Sequence, residues 1–125
     1  MLKPIKIEKR KKCPCQGENL DRFIQPIILA ILSQGDLTGY QIIKRMEEYA
    51  TYRDARPDPT GVYRYLKTMQ SRGHILKVTL PDEGDKEKSL FSITEEGRDC
   101  LINWVTTLKS YGASLLQLAE EVNPE

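Results

Sequence analysis

Residues 57–72, PDPTGVYRYLKTMQSR, read as a single helix with a marked beginning. Asp58 can offer a side-chain oxygen to a free N–H of the first turn. Pro59 falls where a missing N–H costs nothing and its fixed φ suits a helix. The helix is therefore predicted to begin at Pro59. At about 100° per residue, Val62, Leu66 and Met69 share one side, with Tyr65 at the margin. Thr60, Arg64, Lys67 and Ser71 form a row on the opposite side, flanked by Tyr63 and Gln70. This outer row is short, basic and hydroxylated, and it has no carboxylate. An ordinary solvated face usually mixes both signs of charge, so the row points to a helix that reads DNA.

Around this helix the chain divides into contrasting segments. Residues 1–18 are rich in lysine, contain two prolines and a glycine, and show neither a helical nor a strand period. They read as a basic, flexible arm, either one that reaches phosphate or the minor groove or simply a solubilising disordered end. Residues 19–33 carry a broad apolar face in Ile27, Ile28, Ile31 and Leu32, with Phe23 upstream. Asn19 is a candidate N-cap, and Pro26 implies either a helix start near that residue or a kink there. Gly35-Asp36 ends the segment. Thr38-Gly-Tyr-Gln41 fits a capping box and opens a second helix over about 39–49. Tyr40, Ile43 and Met46, with Ile42 and Ala50, supply its buried stripe. A loop over 51–58 then leads to the third helix, giving a tri-helical arrangement whose last helix enters the major groove.

Past Gly73, the expected C-terminal stop, the apolar period changes from helical to two. Leu76, Val78 and Leu80 alternate with polar residues, residues 81–86 make a turn, and Ser89, Phe91 and Ile93 alternate in their turn. This predicts a β-hairpin, and a hairpin directly after the third helix is a wing. The wing tip is acidic, with Lys86 and Lys88 as its candidate phosphate contacts. Thr94 caps a last helix whose Glu95 and Glu96 suit its positive end. From there Leu101, Trp104, Leu108, Tyr111, Leu115, Leu118 and Val122 recur at alternating steps of three and four. Such a heptad seam is too long for the small domain before it to cover, so it is read as a homodimer interface. The alternative is packing on the first helix of the same chain.

The fold class expected is mainly α with a small β-hairpin. Residues 1–18 form an arm, 19–93 a winged helix-turn-helix DNA-binding domain, and 94–122 a C-terminal dimerisation helix. Charge follows this division: residues 1–12 carry six lysines and arginines against Glu8, whereas residues 94–125 are acidic, and the whole chain is only +1. The longest apolar run, Pro26 to Leu32, is far short of a membrane span, and no secretory signal is recognisable, so a cytoplasmic protein is expected. Cys13, Cys15 and Cys100 make an odd count that does not suggest a disulfide scaffold. Cys13-Pro-Cys15 is the one chemically unusual pair, and a redox or metal sensor built on it is a rival reading, although structural zinc wants more ligands and wider spacing. No cofactor is expected. With one histidine and no nucleophile beside an oriented base, the chain does not read as an enzyme. A winged-helix module that binds an acidic protein partner is a further rival.

Four blocks, LTGYQIIKRM at 37–46, PTGVYRYLKTM at 59–69, Gly73-His-Ile75 and FSITEEGR at 91–98, resemble the PadR family of bacterial transcriptional regulators. The resemblance spans about residues 26–100. It implies a homodimeric winged helix that binds a palindromic operator in double-stranded DNA, usually as a repressor, and is released by an effector. Family positions in the third helix map onto Thr60, Tyr63, Arg64 and Lys67, to which the outer row adds Ser71. Some relatives hold flat aromatic compounds between paired tryptophans, which marks Trp104 as a candidate effector contact. Two departures stand out: the wing lacks the strongly basic hairpin common in relatives, and the cysteine-bearing N-terminal extension lies outside the shared pattern.

Overall fold

A computed structural model describes residues 23–52, 55–81 and 87–123, without the side chains of Glu87 and Lys88. The arm with Cys13 and Cys15, the N-cap expected at Asn19 and the wing tip with Lys86 lie outside the described residues. The element order is α1 (Ile24–Leu32), α2 (Gly39–Met46), a 3-10 turn (Ala50–Tyr52), α3 (Pro59–Ser71), β1 (Ile75–Pro81), β2 (Glu87–Ile93) and α4 (Glu95–Glu121).

Of the two expectations the start near Pro26 holds: α1 begins at Ile24, and Pro26 falls at its third position, where the N–H has no intrahelical acceptor anyway, so the helix is not kinked. The helix ends at Leu32, ahead of Gly35. In α2 the capping box forms as expected: Gln41 N donates to Thr38 Oγ1 at 3.1 Å and Thr38 N donates to Gln41 Oε1 at 3.0 Å. The helix stops at Met46, however, three residues short of the expected end, and Tyr40 is 66% exposed. Geometry explains the exposure. Measured from Met46 around the helix, Gly39, Ile42 and Ile43 lie within about 60°, whereas Tyr40 lies about 120° away. Gly39 thus belongs to the buried stripe in place of Tyr40, and Ala50 is also exposed.

The core is built where the apolar stripes of the first three helices meet the hairpin. Ile28, Leu29 and Leu32 of α1, Ile42 and Met46 of α2, and Val62, Leu66 and Met69 of α3 are all but inaccessible. β1 and β2 pair antiparallel, with Ile75 opposite Ile93 and Lys77 opposite Phe91. Opposed residues share a face, so Ile75, Phe91 and Ile93 close the core. Leu76, Val78 and Leu80, the alternation visible in the sequence, point outward and are exposed. A single β-bridge joins Leu37 to the two-stranded sheet: its N–H and carbonyl both bond to Phe91, at 3.2 and 2.8 Å. This ties the α1–α2 connection to the wing.

Candidate nucleic-acid interface

The beginning and end of α3 are both fixed by its own sequence. Gly61 N donates to Asp58 Oδ2 at 3.2 Å, so the carboxylate is engaged at the helix start. At the other end Gly73 N donates to Gln70 O and His74 N to Met69 O, both at 3.0 Å. These two bonds form a Schellman stop, and Gly73 adopts the left-handed conformation that it requires, with φ 81°.

Between these ends the two faces of α3 separate cleanly. Val62, Leu66 and Met69 are buried, Tyr65 is half-buried, and Thr60, Tyr63, Arg64, Lys67 and Ser71 are exposed together. The five predicted residues of α3 therefore lie on one open surface with no acidic side chain among them. Ser71 differs from the others in that its hydroxyl donates back to Lys67 O at 3.2 Å, leaving mainly acceptor capacity.

Tyr63 is positioned by α2. A Cβ built at Gly39 would lie 2.5 Å from Cε1 and 2.7 Å from the phenolic oxygen of Tyr63, so the ring rests directly on the bare glycine. It remains 48% exposed, anchored along one edge and open along the other. Tyr40, next in sequence to that glycine, adds a second exposed aromatic side chain. Periodicity alone missed it because a tyrosine at i, i+3 spacing from Ile43 looks like core. The signal that could have found it is Gly39, whose missing side chain brings the two helices close at that point.

The wing contributes less that can be placed. Lys88 lies in β2 opposite Leu80, while Lys86 lies outside the described residues. Behind α3, Thr94 Oγ1 donates to Gly73 O at 2.7 Å and also lies 3.0 Å from His74 O, while Gly97 N donates to Thr94 Oγ1 at 3.0 Å. One threonine thus joins the end of α3 to the start of α4. Gly97 is buried at this junction, and any side chain there would collide with the His74 carbonyl.

Along α4 the predicted seam divides. Leu101, Trp104 and Tyr111 are half-buried against α1 and Phe23, whose ring centroid is 6.4 Å from that of Tyr111. Leu108, Leu115, Leu118 and Val122 are exposed. An apolar groove of about 380 Å³ opens between α1, α4 and the Tyr49–Thr51 segment, lined by Phe23, Ile27, Leu101, Val105 and Leu108 among others. Trp104 is not in that lining; its indole N–H donates to Gln25 Oε1 at 3.1 Å. Among the described residues no cluster of three or more histidine, cysteine or acidic side chains could hold a metal ion. Nor is any described helix long and apolar enough to cross a membrane.

Residues 28–103 match the family model described as the transcriptional regulator PadR-like family. The chain belongs to that PadR-like family. It is a family of transcriptional regulators and not of enzymes. Among solved structures, a Thermoplasma acidophilum protein assigned as a transcriptional regulator is 27% identical, with a TM-score of 0.71, over 83% of this chain and 97% of its own. A PadR family regulator from hypervirulent Clostridium difficile R20291 is 24% identical, with a TM-score of 0.66, over 77% and 97% respectively. Bacillus subtilis PadR, solved in complex with operator DNA, is 24% identical, with a TM-score of 0.60, over 74% of this chain and 59% of its own. The PadR-like winged helix is thus the fold of this chain. No curated protein matches the sequence.

Proposed function

We propose that this PadR-like protein is a homodimeric, operator-binding repressor that a small-molecule, metal or redox signal releases from DNA. The observation that carries the reading is the outer face of α3, where Thr60, Tyr63, Arg64 and Lys67 are exposed together without a carboxylate, on a helix whose other face is buried in the core. Arg64 supplies a base-edge or phosphate contact, Lys67 a phosphate contact, and Thr60 and Tyr63 phosphate or thymine-methyl contacts. Tyr40 extends this face onto α2. Ser71 contributes as an acceptor, and Lys86 and Lys88 are the wing's candidates for phosphate.

The dimer reading is supported by the far half of α4, where Leu115 and Leu118 remain 46% and 50% exposed on the single chain. Apolar side chains repeating along one seam favour a partner helix. Two copies of α3 would then be presented to successive major grooves about 34 Å apart. Selection of sites from a randomised duplex pool tests the whole reading. The wild type should recover a two-fold symmetric site, and Arg64→Ala should lose about 1–3 kcal/mol of specific affinity if the arginine reads a guanine. Recovery of no sequence, with only weak and steeply salt-dependent binding, would refute operator recognition.

A further inference from the structure

The single tryptophan and the single histidine of the chain sit at the two ends of one side-chain hydrogen-bond chain, with Gln25 of α1 between them. An indole N–H can only donate, so the atom 3.1 Å from Trp104 Nε1 is the amide oxygen of Gln25. The amide orientation is thereby fixed, and its NH2 faces His74 Nδ1 at 3.3 Å. That NH2 can only donate in turn, so Nδ1 accepts and the imidazole carries its proton on Nε2. All three groups are partly buried, and the chain holds together in only this polarity.

Both ends of the chain are at consequential places. Trp104 lies in the seam of α4. His74 closes the Schellman stop just past α3: its N–H bonds to Met69 O, and its carbonyl accepts from Thr94 at the head of α4. We infer that Gln25 is a positioning residue that couples the Trp104 indole to the C-terminal end of α3. An event that moves the indole is then felt by the helix that faces DNA. The inference rests on the operator-binding reading. If α4 shifts so that the indole leaves Gln25, the amide oxygen loses its partner, the amide is free to turn, and His74 loses the donor that holds its ring. Linkage makes the effect reciprocal, so DNA on α3 must alter the surroundings of Trp104.

The test uses the full chain and a duplex recovered by site selection, with Trp104 emission as the readout and the nitrogen chemical shifts of His74 as the second measurement. In the wild type, duplex binding should change the emission, and His74 should be the Nε2–H tautomer. Gln25→Leu keeps the volume and removes both hydrogen bonds; it should still bind the duplex but lose the emission change. Gln25→Glu can accept from the indole but cannot donate to His74, so Nδ1 should become protonated. A wild-type Nδ1–H tautomer, or a Gln25→Leu response equal to the wild type, overturns the inference. Duplex binding that leaves wild-type emission unchanged also overturns it while sparing the operator reading. Failure to bind any duplex removes both.

Discussion

Replacing Gly39 with alanine should separate DNA affinity from stability. The new Cβ would start 2.5 Å from Cε1 and 2.8 Å from Cζ of Tyr63. Ordinary carbon contacts lie at about 3.5–4.0 Å, so the ring must retreat by about 1 Å. The ring is half-exposed and can do so, at a rotamer cost of about 0.5–1.5 kcal/mol. Alanine offsets this by lowering the conformational entropy of the unfolded chain, a gain of about 0.5–1 kcal/mol over glycine in a helix. Stability should therefore change by no more than about 1 kcal/mol, a shift of a few degrees in Tm. The phenolic hydroxyl, displaced with the ring, should lose the DNA contact proposed for it, worth about 0.5–1.5 kcal/mol or about two- to twelvefold in Kd. Tyr63→Phe removes the same hydroxyl without moving the ring. The double variant should bind operator no more weakly than the weaker single variant, which is the non-additivity expected of residues in contact. Thermal melts and operator titrations on all four proteins provide the cycle. Destabilisation of several kcal/mol by Gly39→Ala would show that the ring cannot yield. Unchanged operator affinity in both single variants would remove the Tyr63 hydroxyl from the interface.

Other substitutions probe the remaining parts of the molecule. Gly73→Ala places a Cβ on a residue with φ 81° and should cost about 1–2 kcal/mol in urea unfolding; a neutral result would contradict the Schellman stop. Leu115→Lys together with Leu118→Lys puts two charges in the exposed half of the seam, and light scattering should find a monomer with unaltered helical content, whereas a persistent dimer would place the interface elsewhere. Burial pushes the Cys100 thiol above its usual pKa, while the nearby Arg72 pulls it back. Near neutral pH Cys100 should therefore alkylate more slowly than an unperturbed thiol, and still more slowly in Arg72→Ala, as followed by peptide mass spectrometry. Faster labelling in Arg72→Ala would reverse the sign of that electrostatic effect.

Much of this architecture is legible in the sequence because the decisive signals are local. Asp58 with Pro59, the Thr38–Gln41 box, Gly73 and Thr94 each mark an element boundary through hydrogen bonds to residues only a few positions away. The two faces of α3 follow from periodicity alone. What was not legible depends on contacts distant in sequence. Tyr40, at i, i+3 from Ile43, looks like core, and although its neighbour Gly39 is a visible signal, the contact of Gly39 with Tyr63 joins positions that no local pattern relates. The outward direction of Leu76, Val78 and Leu80 is set by pairing with β2 and by where Phe91 must point. The Gln25 bonds bring together residues 49 and 79 positions apart. At the end of α2 the helical period continues to Tyr49 in the sequence, whereas Tyr49 N bonds to Met46 O in a tighter turn.

The junction of Gly73, His74, Thr94 and Gly97 makes α4 a long lever on a short fulcrum. The helix has 27 residues, and at 1.5 Å per residue it extends about 40 Å. From the buried Gly97 to Leu118 the arm is about 32 Å, so a displacement of 1 Å at Leu118 corresponds to a rotation of about 2° at the junction. The leverage runs in the opposite sense as well. In the proposed dimer, a partner helix on the far turns of α4 would act at the long end of this arm, beyond the part that Leu101, Trp104 and Tyr111 hold against α1 and Phe23.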